Sequence, residues 1–524
     1  MAFAATAQGG SLMIHENGYP RKSLSNVSPF VPQIAELINP ACSLHVRAVS
    51  LPESALRGSD IRLFPAHETR KGTAAMDGIF QIGDNGTSAS LSVARSDNFR
   101  ILHGMPNTVS NNNFRALTRK DKFLAVCQSI ALVPDVLKHV KSSDEMDVLA
   151  EITHAANHLL VNGNGRSELD IAVANAFKKE KGSHWRQCIA NFLKKYPMRA
   201  DPNNAKFSFI DLFAGVGGIR IAMQDAGGKC VFSSEIDTDS KVTYFRNFGE
   251  VPFGDINRFA GAEMTVDEIG RLVPDHDVLA GGFPCQPFSS AGVSSRSSLG
   301  RPHGFECQTQ GTLFFNIARI VSVKKPRVVF LENVKNLVRH EGGKTISIIK
   351  ATLTALGYNV NIRVINSQTE VPQKRERCFI VAVRNECGSF EFPSFDGNPL
   401  PLASILEKSV PAKYTISEKA WIGHQERSVR NKRRGAGFTV TLADIAKPAN
   451  TILARYYKDG KECLLPQEGM PPRKLTPREI ARVQGFPEHF KIHDADCKAY
   501  KQFGNSVPVP VVAKIAKAIA GLIV

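Results

Sequence analysis

The chain has 524 residues, 66 Lys and Arg against 49 Asp and Glu, a formal net charge of +17 and a pI near 9.4. This length allows several domains, and the basic excess points to a polyanionic partner, nucleic acid before membrane, with a basic enzyme kept soluble by charge as the alternative. No apolar run of spanning length occurs (Lys514 and Lys517 break the apolar C-terminus), Met1–Gly10 lacks a secretory pattern, and ten cysteines without a CxxC pair argue for reduced cytosolic thiols and against structural zinc.

Residues 1–118 are rich in Ser, Asn, Gly and Pro and read as a loosely structured N-terminal region, with short strands expected near Ile79–Ile82 and Ala89–Val93. From 119 to 202 the apolar spacing is helical: Phe123, Val126, Cys127 and Ile130, then Met146, Leu149 and Ile152, then Trp185, Cys188, Ile189 and Phe192. This predicts a helical accessory domain ending in a basic linker, Lys194 to Pro202. Packing is its default role and DNA binding the alternative; it carries no helix-turn-helix signature.

The character changes within a third segment, 203–384. Phe207–Leu212 predicts a strand, Phe213–Gly218 a tight glycine turn, Ile219–Ala226 a helix, and Lys229–Ser233 a second strand ending at Glu235. Such a βαβ unit lets backbone approach a ligand, and an acid after the second strand can bind ribose hydroxyls. The turn is not a full GxGxxG fingerprint, which favours a ligand without pyrophosphate. Asp255 closes a predicted third strand and reads equally well as an adenine contact or a surface turn. Further strands are predicted at Asp277–Gly281, Val328–Leu331, Val360–Ile365 and Phe379–Val383, with helices at Leu313–Val323 and Thr345–Leu356. That alternation predicts a doubly wound α/β sheet. Regularity is lost at 385–472, where Arg427, Arg430, Lys432, Arg433, Arg434, Arg455, Tyr456, Tyr457 and Lys458 interleave basic with aromatic residues, which suits phosphate contact and base recognition, with a solvated charged face as the alternative. It resumes over 473–524.

The chemistry gathers around Gly281-Gly282-Phe283-Pro284-Cys285-Gln286-Pro287-Phe288-Ser289. Prolines and glycines force this stretch out of regular structure, so Cys285 sits in a stiff loop after a strand, where open α/β folds place reacting groups. Alone, Cys285 reads equally as a small buried hydrophobe. Glu332 ends an apolar strand, where a buried carboxyl tends to keep its proton and suits general-acid work. Arg375 and Arg377 alternate ahead of another strand and project to one side, able to hold a carboxylate or carbonyl oxygen.

Taken in order, these motifs resemble the DNA (cytosine-5)-methyltransferases from about Phe207 to Val524. The resemblance rests on Phe209–Gly218, Gly282–Ser289, Gly311–Phe315, Glu332–Val334, Pro372–Arg377, Leu475–Pro487 and Gln502–Val511. It implies a Rossmann-like, S-adenosylmethionine-dependent methyltransferase sheet with a smaller target recognition domain at 385–472, beside the N-terminal, partly helical extension. It implies that Cys285 attacks carbon 6 of a flipped-out cytosine, that Glu332 protonates or hydrogen-bonds ring nitrogen 3, that Arg377 contacts the carbonyl oxygen, and that Arg375 orients Glu332. No metal is implied. S-adenosyl-L-methionine is expected on Phe213, Gly215, Gly217 and Gly218, with Glu235 on ribose, Asp255 on adenine, and Ile236, Pro284, Asn505 and Val507 alongside. Gln286 and Ser289, with the loop Ser290–Leu299, are expected to close on double-stranded DNA.

Segments Gly435–Phe438 and Thr451–Gly460 are similar to those of bacterial enzymes modifying CCWGG or CCNGG sites, with Arg455 and Tyr456 expected at the bases. Asn316 departs from the family, where aspartate is common. The resemblance implies a monomer in the bacterial cytoplasm, at the nucleoid, protecting DNA from a cognate restriction endonuclease. An RNA cytosine methyltransferase and a methylase doubling as transcriptional regulator are the alternatives.

Overall fold

The computed structural model describes residues 121–142, 144–162, 167–199, 205–284, 313–435 and 440–524, together with strands lying between residues 3 and 93. Residues 1–111 and 112–524 are two compact units. In the first, Phe3–Gln8, Ser11–Glu16, Lys22–Ser23, Asp60–Pro65, Met76–Ile82 and Thr87–Val93 pair into one antiparallel sheet. The Gly9-Gly10 dipeptide between the first two strands is the hairpin signature that betrays them.

The second unit opens with helices α1 (Lys122–Ile130), α2 (Glu145–Asn162), α3 (Glu168–Lys181) and α4 (Trp185–Leu193). Local signals set their ends. Asp121 caps α1 by accepting from the Phe123 and Leu124 amides, and Ser167 with Asp170 forms a capping box on α3. Their apolar faces close over one core that also takes in Val242, Phe245 and Val251 from the neighbouring sheet layer.

That layer is a six-stranded sheet of β1 (Phe207–Leu212), β2 (Gly228–Ser234), β3 (Val278–Gly282), β4 (Val328–Val334), β5 (Tyr358–Asn366) and β6 (Glu376–Arg384), in the order β2-β1-β3-β4-β6-β5. The first four strands run parallel, while β6 is antiparallel to both β4 and β5. Side chains alternate between two cores: Phe207, Phe209, Val278 and Ala280 face one, Ile210, Leu212 and Leu279 the other. Helix α5 (Gly218–Asp225) and the C-terminal α12 (Val509–Ile523) close the first. Helices α7 (Leu313–Lys324) and α8 (Lys344–Ala355) close the second. Between β2 and β3 runs α6 (Thr238–Phe248). The third strand expected before Asp255 is reduced to a single bridge, Ser234 to Phe253, because Pro252 and Gly254 deny the segment a ladder.

The stretch expected to be irregular, 385–472, holds a sixteen-residue helix, α9 (Glu418–Arg433), and most of a hairpin, Leu464–Gln467 with Met470–Lys474. So many charges in α9 hide its period. Thr476, Pro477 and Glu479 then start α10 (Pro477–Val483) with a capping box, and α11 (Asp496–Asn505) precedes α12. Among the described residues no single helix is long and apolar enough to cross a membrane.

Two glycines of the turn after β1 serve different ends. Gly217 has φ +88°, and a Cβ there would lie 2.3 Å from Cε2 of Phe248; Gly215 has φ +55° and open space around it. Gly217 is therefore required by packing, Gly215 by backbone shape. Gly217→Ala is expected to lower stability by about 2–4 kcal/mol, from backbone strain plus overpacking, and Gly215→Ala by about 1–2 kcal/mol from strain alone. Urea unfolding of the two variants checks the difference.

Candidate active site

Register brings the site together. Leu212 of β1 pairs with Gly281 of β3, and Gly282 pairs with Glu332 of β4, so the glycine turn, the loop toward Cys285 and Glu332 leave the sheet along one carboxyl edge. Because β6 is antiparallel, its first residues reach the same edge: Arg377 pairs with Val334. Cys285, Gln286, Ser289 and the loop Ser290–Leu299 lie outside the described residues. The chain leading to them is fixed, since Asn333 Nδ2 donates to the Phe283 carbonyl at 2.8 Å. A Cβ on Gly282 would stand 3.4 Å from Glu332 Oε2, so the carboxyl lies directly under this loop.

Glu332 is buried, and burial raises its carboxyl above the usual range, opposed by the nearby Arg377 and Arg375 charges. The ion pair is with Arg377, whose Nε is 3.2 Å from Glu332 Oε1. Arg375 does not hold Glu332. Its guanidinium instead donates to the carbonyls of Ile452 (3.1 Å), Gly504 (3.1 Å) and Ser506 (2.6 Å). The alternation of the two arginines gave their common side but not their partners, because those carbonyls come from remote chain.

Around the glycine turn, Glu235 accepts the Gly215 amide on Oε2 and the Asp237 amide on Oε1, both at 2.7 Å. Phe213 holds φ +56°, a conformation that a non-glycine residue adopts only under constraint. Ile236, next to Glu235, is 70% exposed, an apolar side chain left open beside a carboxylate. Gly218 packs on Ser506 and Val507, which brings the Asn505–Val507 segment to the turn, while Pro284 is exposed at the rim. Asp255 accepts the Asn257 amide (3.0 Å) and its Nδ2 (2.9 Å) on Oδ1. Asn316, the departure from the family pattern, donates to Asn257 Oδ1 at 2.8 Å and so supports this loop from α7.

The segment around Ile452–Arg455 joins the site through backbone. Gly504 admits it, since a Cβ there would stand 2.5 Å from the Ala454 nitrogen. Gln373, fully buried, accepts the Ile452 amide at 2.8 Å. Arg455 is exposed, as base contact needs. Tyr456 is corrected: its ring is fully buried, and its hydroxyl donates to the Cys463 carbonyl (2.6 Å) and accepts the Leu475 amide (2.9 Å). The short helical turn it begins points it inward and leaves Tyr457, 38% exposed, outward.

Asn333 and Gln373 were missed as site residues although both lie inside quoted motifs; for Asn333, a polar residue within an apolar strand was the available signal. Asp211 was missed too. It is fully buried on β1 beneath the glycine turn, both carboxylate oxygens lack a partner among the described residues, and burial pushes its carboxyl up to about 7. A carboxyl raised from 3.8 in the fold favours the folded state most below that value, and the benefit is lost as pH rises through about 7. The melting temperature of Asp211→Asn without ligand, measured against the wild type, should therefore gain steadily between these two values and stay level above them.

Residues 207–521 match the family of C-5 cytosine-specific DNA methylases. The chain is 45% identical to the type II methyltransferase M.DsaV of Dactylococcopsis salina, over 60% of this chain and 85% of that protein. It is 46% identical to M.SsoII of Shigella sonnei (62% and 82% covered) and 46% identical to M.NlaX of Neisseria lactamica (59% and 95%). With the sheet, the edge and its carboxyl–arginine pair in view, the chain belongs to the C-5 cytosine-specific DNA methylases and is a DNA cytosine-5 methyltransferase that uses S-adenosyl-L-methionine.

Proposed function

We propose that the chain methylates a cytosine flipped out of a short duplex site, with Cys285 as nucleophile, Glu332 as acid at ring nitrogen 3 and Arg377 at the carbonyl oxygen. A base inside the stack hides carbon 6, which makes extrusion necessary. The Cys285 thiolate adds to carbon 6. Glu332 gives or shares its proton at nitrogen 3, so the electron pair reaches carbon 5 rather than building charge on the ring. After methylation, carbon 5 loses its proton and the thiolate leaves, restoring the aromatic ring. The observation that carries this reading is the register of Gly282 with Glu332, which brings a buried, proton-retaining carboxyl beneath the loop that leads to Cys285, with Arg377 against it.

The residues present fit the methyl donor. S-adenosyl-L-methionine, when bound, supplies an electrophilic methyl group on a cationic sulfur. The unpartnered Asp211 carboxylate, Glu235, the open space at Gly215 and the exposed Ile236 suit a ligand that joins positive charge to ribose and a flat base. Phe213, Gly218, Asp255, Pro284, Asn505 and Val507 complete the pocket in this reading. Gly217 contributes through packing. Arg375 acts as a positioning residue that ties the recognition segment to the catalytic edge.

The similarity to type II methyltransferases supports a role beside a restriction endonuclease, and the Thr451–Gly460 segment supports a CC-containing, near-palindromic target read by Arg455. The protein would act as a monomer in the cytoplasm on nucleoid DNA, with Gln286 and Ser289 on the duplex. Bisulfite sequencing of plasmid from cells expressing the chain should show cytosines protected at one short motif, and none with Cys285→Ser. Unprotected cytosines throughout the wild-type sample would overturn the reading. Glu332→Gln should lower kcat roughly 100- to 10,000-fold with duplex affinity retained, as filter binding and single-turnover methylation will measure.

A further inference from the structure

Helix α2 uses polar side chains where a packing helix would use apolar ones. Asp147, Thr153 and Asn157 are all buried, and together they engage one segment of the catalytic layer, residues 249–258. Asn157 Nδ2 donates to the Gly249 carbonyl (3.2 Å), and Thr153 Oγ1 accepts the Val251 amide (3.1 Å). Asp147 Oδ1 accepts the Gly254 amide at 2.6 Å, and its Oδ2 takes Arg258 Nη1 at 3.1 Å. These contacts flank Asp255 on both sides. Gly254 packs closely here, since a Cβ would stand 3.2 Å from Asp147 Oδ1.

Charge joins the same groups. Lys241 on α6 is 5% exposed, and its ammonium feels Asp147, Asp144 and Glu235 together. Asp144 shares Arg258 with Asp147 at 2.8 Å. Burial pulls the Lys241 ammonium below its usual range while Asp147, Asp144 and Glu235 oppose this, so losing one carboxylate leaves the buried lysine less compensated.

We infer that Asp147 is a positioning residue for the methyl-donor pocket: through it, α2 braces the 249–258 segment and fixes Asp255 and Glu235 for the adenosine moiety. The helical region is thus a part of the cofactor site rather than an independent appendage. This rests on the reading of Glu235 and Asp255 as cofactor contacts.

The test is calorimetric binding of S-adenosyl-L-methionine to the full chain, with kcat, KM and melting temperature, for the wild type, Asp147→Asn, Asp147→Ala, Asp121→Asn and Glu235→Ala. Asp147→Asn keeps the shape and an acceptor for Gly254 but loses the charge, so it remains informative where the alanine variant fails to fold. Both Asp147 variants should raise the Kd and KM for the methyl donor roughly tenfold, with kcat at saturating donor and duplex affinity near wild type. Asp121→Asn removes the Lys195 ion pair while keeping an acceptor that caps α1, leaves the 249–258 segment untouched, and should lower only the melting temperature. Unchanged donor affinity in Asp147→Asn, or an equal loss in Asp121→Asn, overturns the brace. If Glu235→Ala binds the donor as tightly as wild type, the pocket assignment itself fails. If Glu235→Ala loses binding while the Asp147 variants keep it, the brace alone fails.

Discussion

A buried guanidinium holds the catalytic half of this protein together. Arg375 is 2% exposed, and it spends its charge on three backbone carbonyls drawn from the recognition segment and from the end of α11. A charge taken out of water is tolerated only when hydrogen bonds and nearby opposite charge replace its hydration. The carbonyls provide the first and Glu332 part of the second, while burial and the neighbouring Arg377 charge still pull the Arg375 pKa down to about 9. The planar fork of arginine meets three acceptors at once, which a lysine ammonium cannot reproduce in the same geometry. The Ile452 segment and the strand edge of Glu332 therefore share one fastening.

Two arginines spaced by one residue divide the work. Arg375 faces remote backbone, whereas Arg377 lies against the Glu332 carboxyl. Their combined charge partly offsets the burial that raises the Glu332 carboxyl. The edge thus joins an apolar strand, which raises the carboxyl, to a basic strand start, which restrains it. Neither strand alone would produce that balance.

Polar burial recurs where the helical region meets the sheet layer. Arg220, Glu250 and His154 form a buried cluster there, with Arg220 Nη1 at 2.6 Å from Glu250 Oε2 and His154 Nε2 at 3.6 Å. Burial lowers the His154 pKa, so it stands neutral beside the pair. Such contacts fix one docking geometry more tightly than apolar packing does, because a small displacement leaves a buried group unsatisfied. The shared apolar core of the four helices with Val242, Phe245 and Val251 supplies the adhesion, and the polar groups supply the alignment.

By itself the sequence determined the local elements and the chemical class. Alternating apolar residues placed β1, β3, β4 and β6, and the helices beside them, to within a few residues, because burial on two faces imposes its period directly. The glycine turn, Glu332 and the two arginines were legible for the same reason: each stands where an apolar strand starts or stops. Tertiary structure alone decided the partners. Nothing local says that Arg375 grips carbonyls more than seventy residues away, that Tyr456 turns inward while Tyr457 turns out, or that Gly217 lies against the Phe248 ring. Asp211 looked like one more strand residue until the fold left its carboxylate buried and unpaired. Period is written in neighbouring residues, whereas hydrogen-bond partners and electrostatic environment come from chain that only folding brings near.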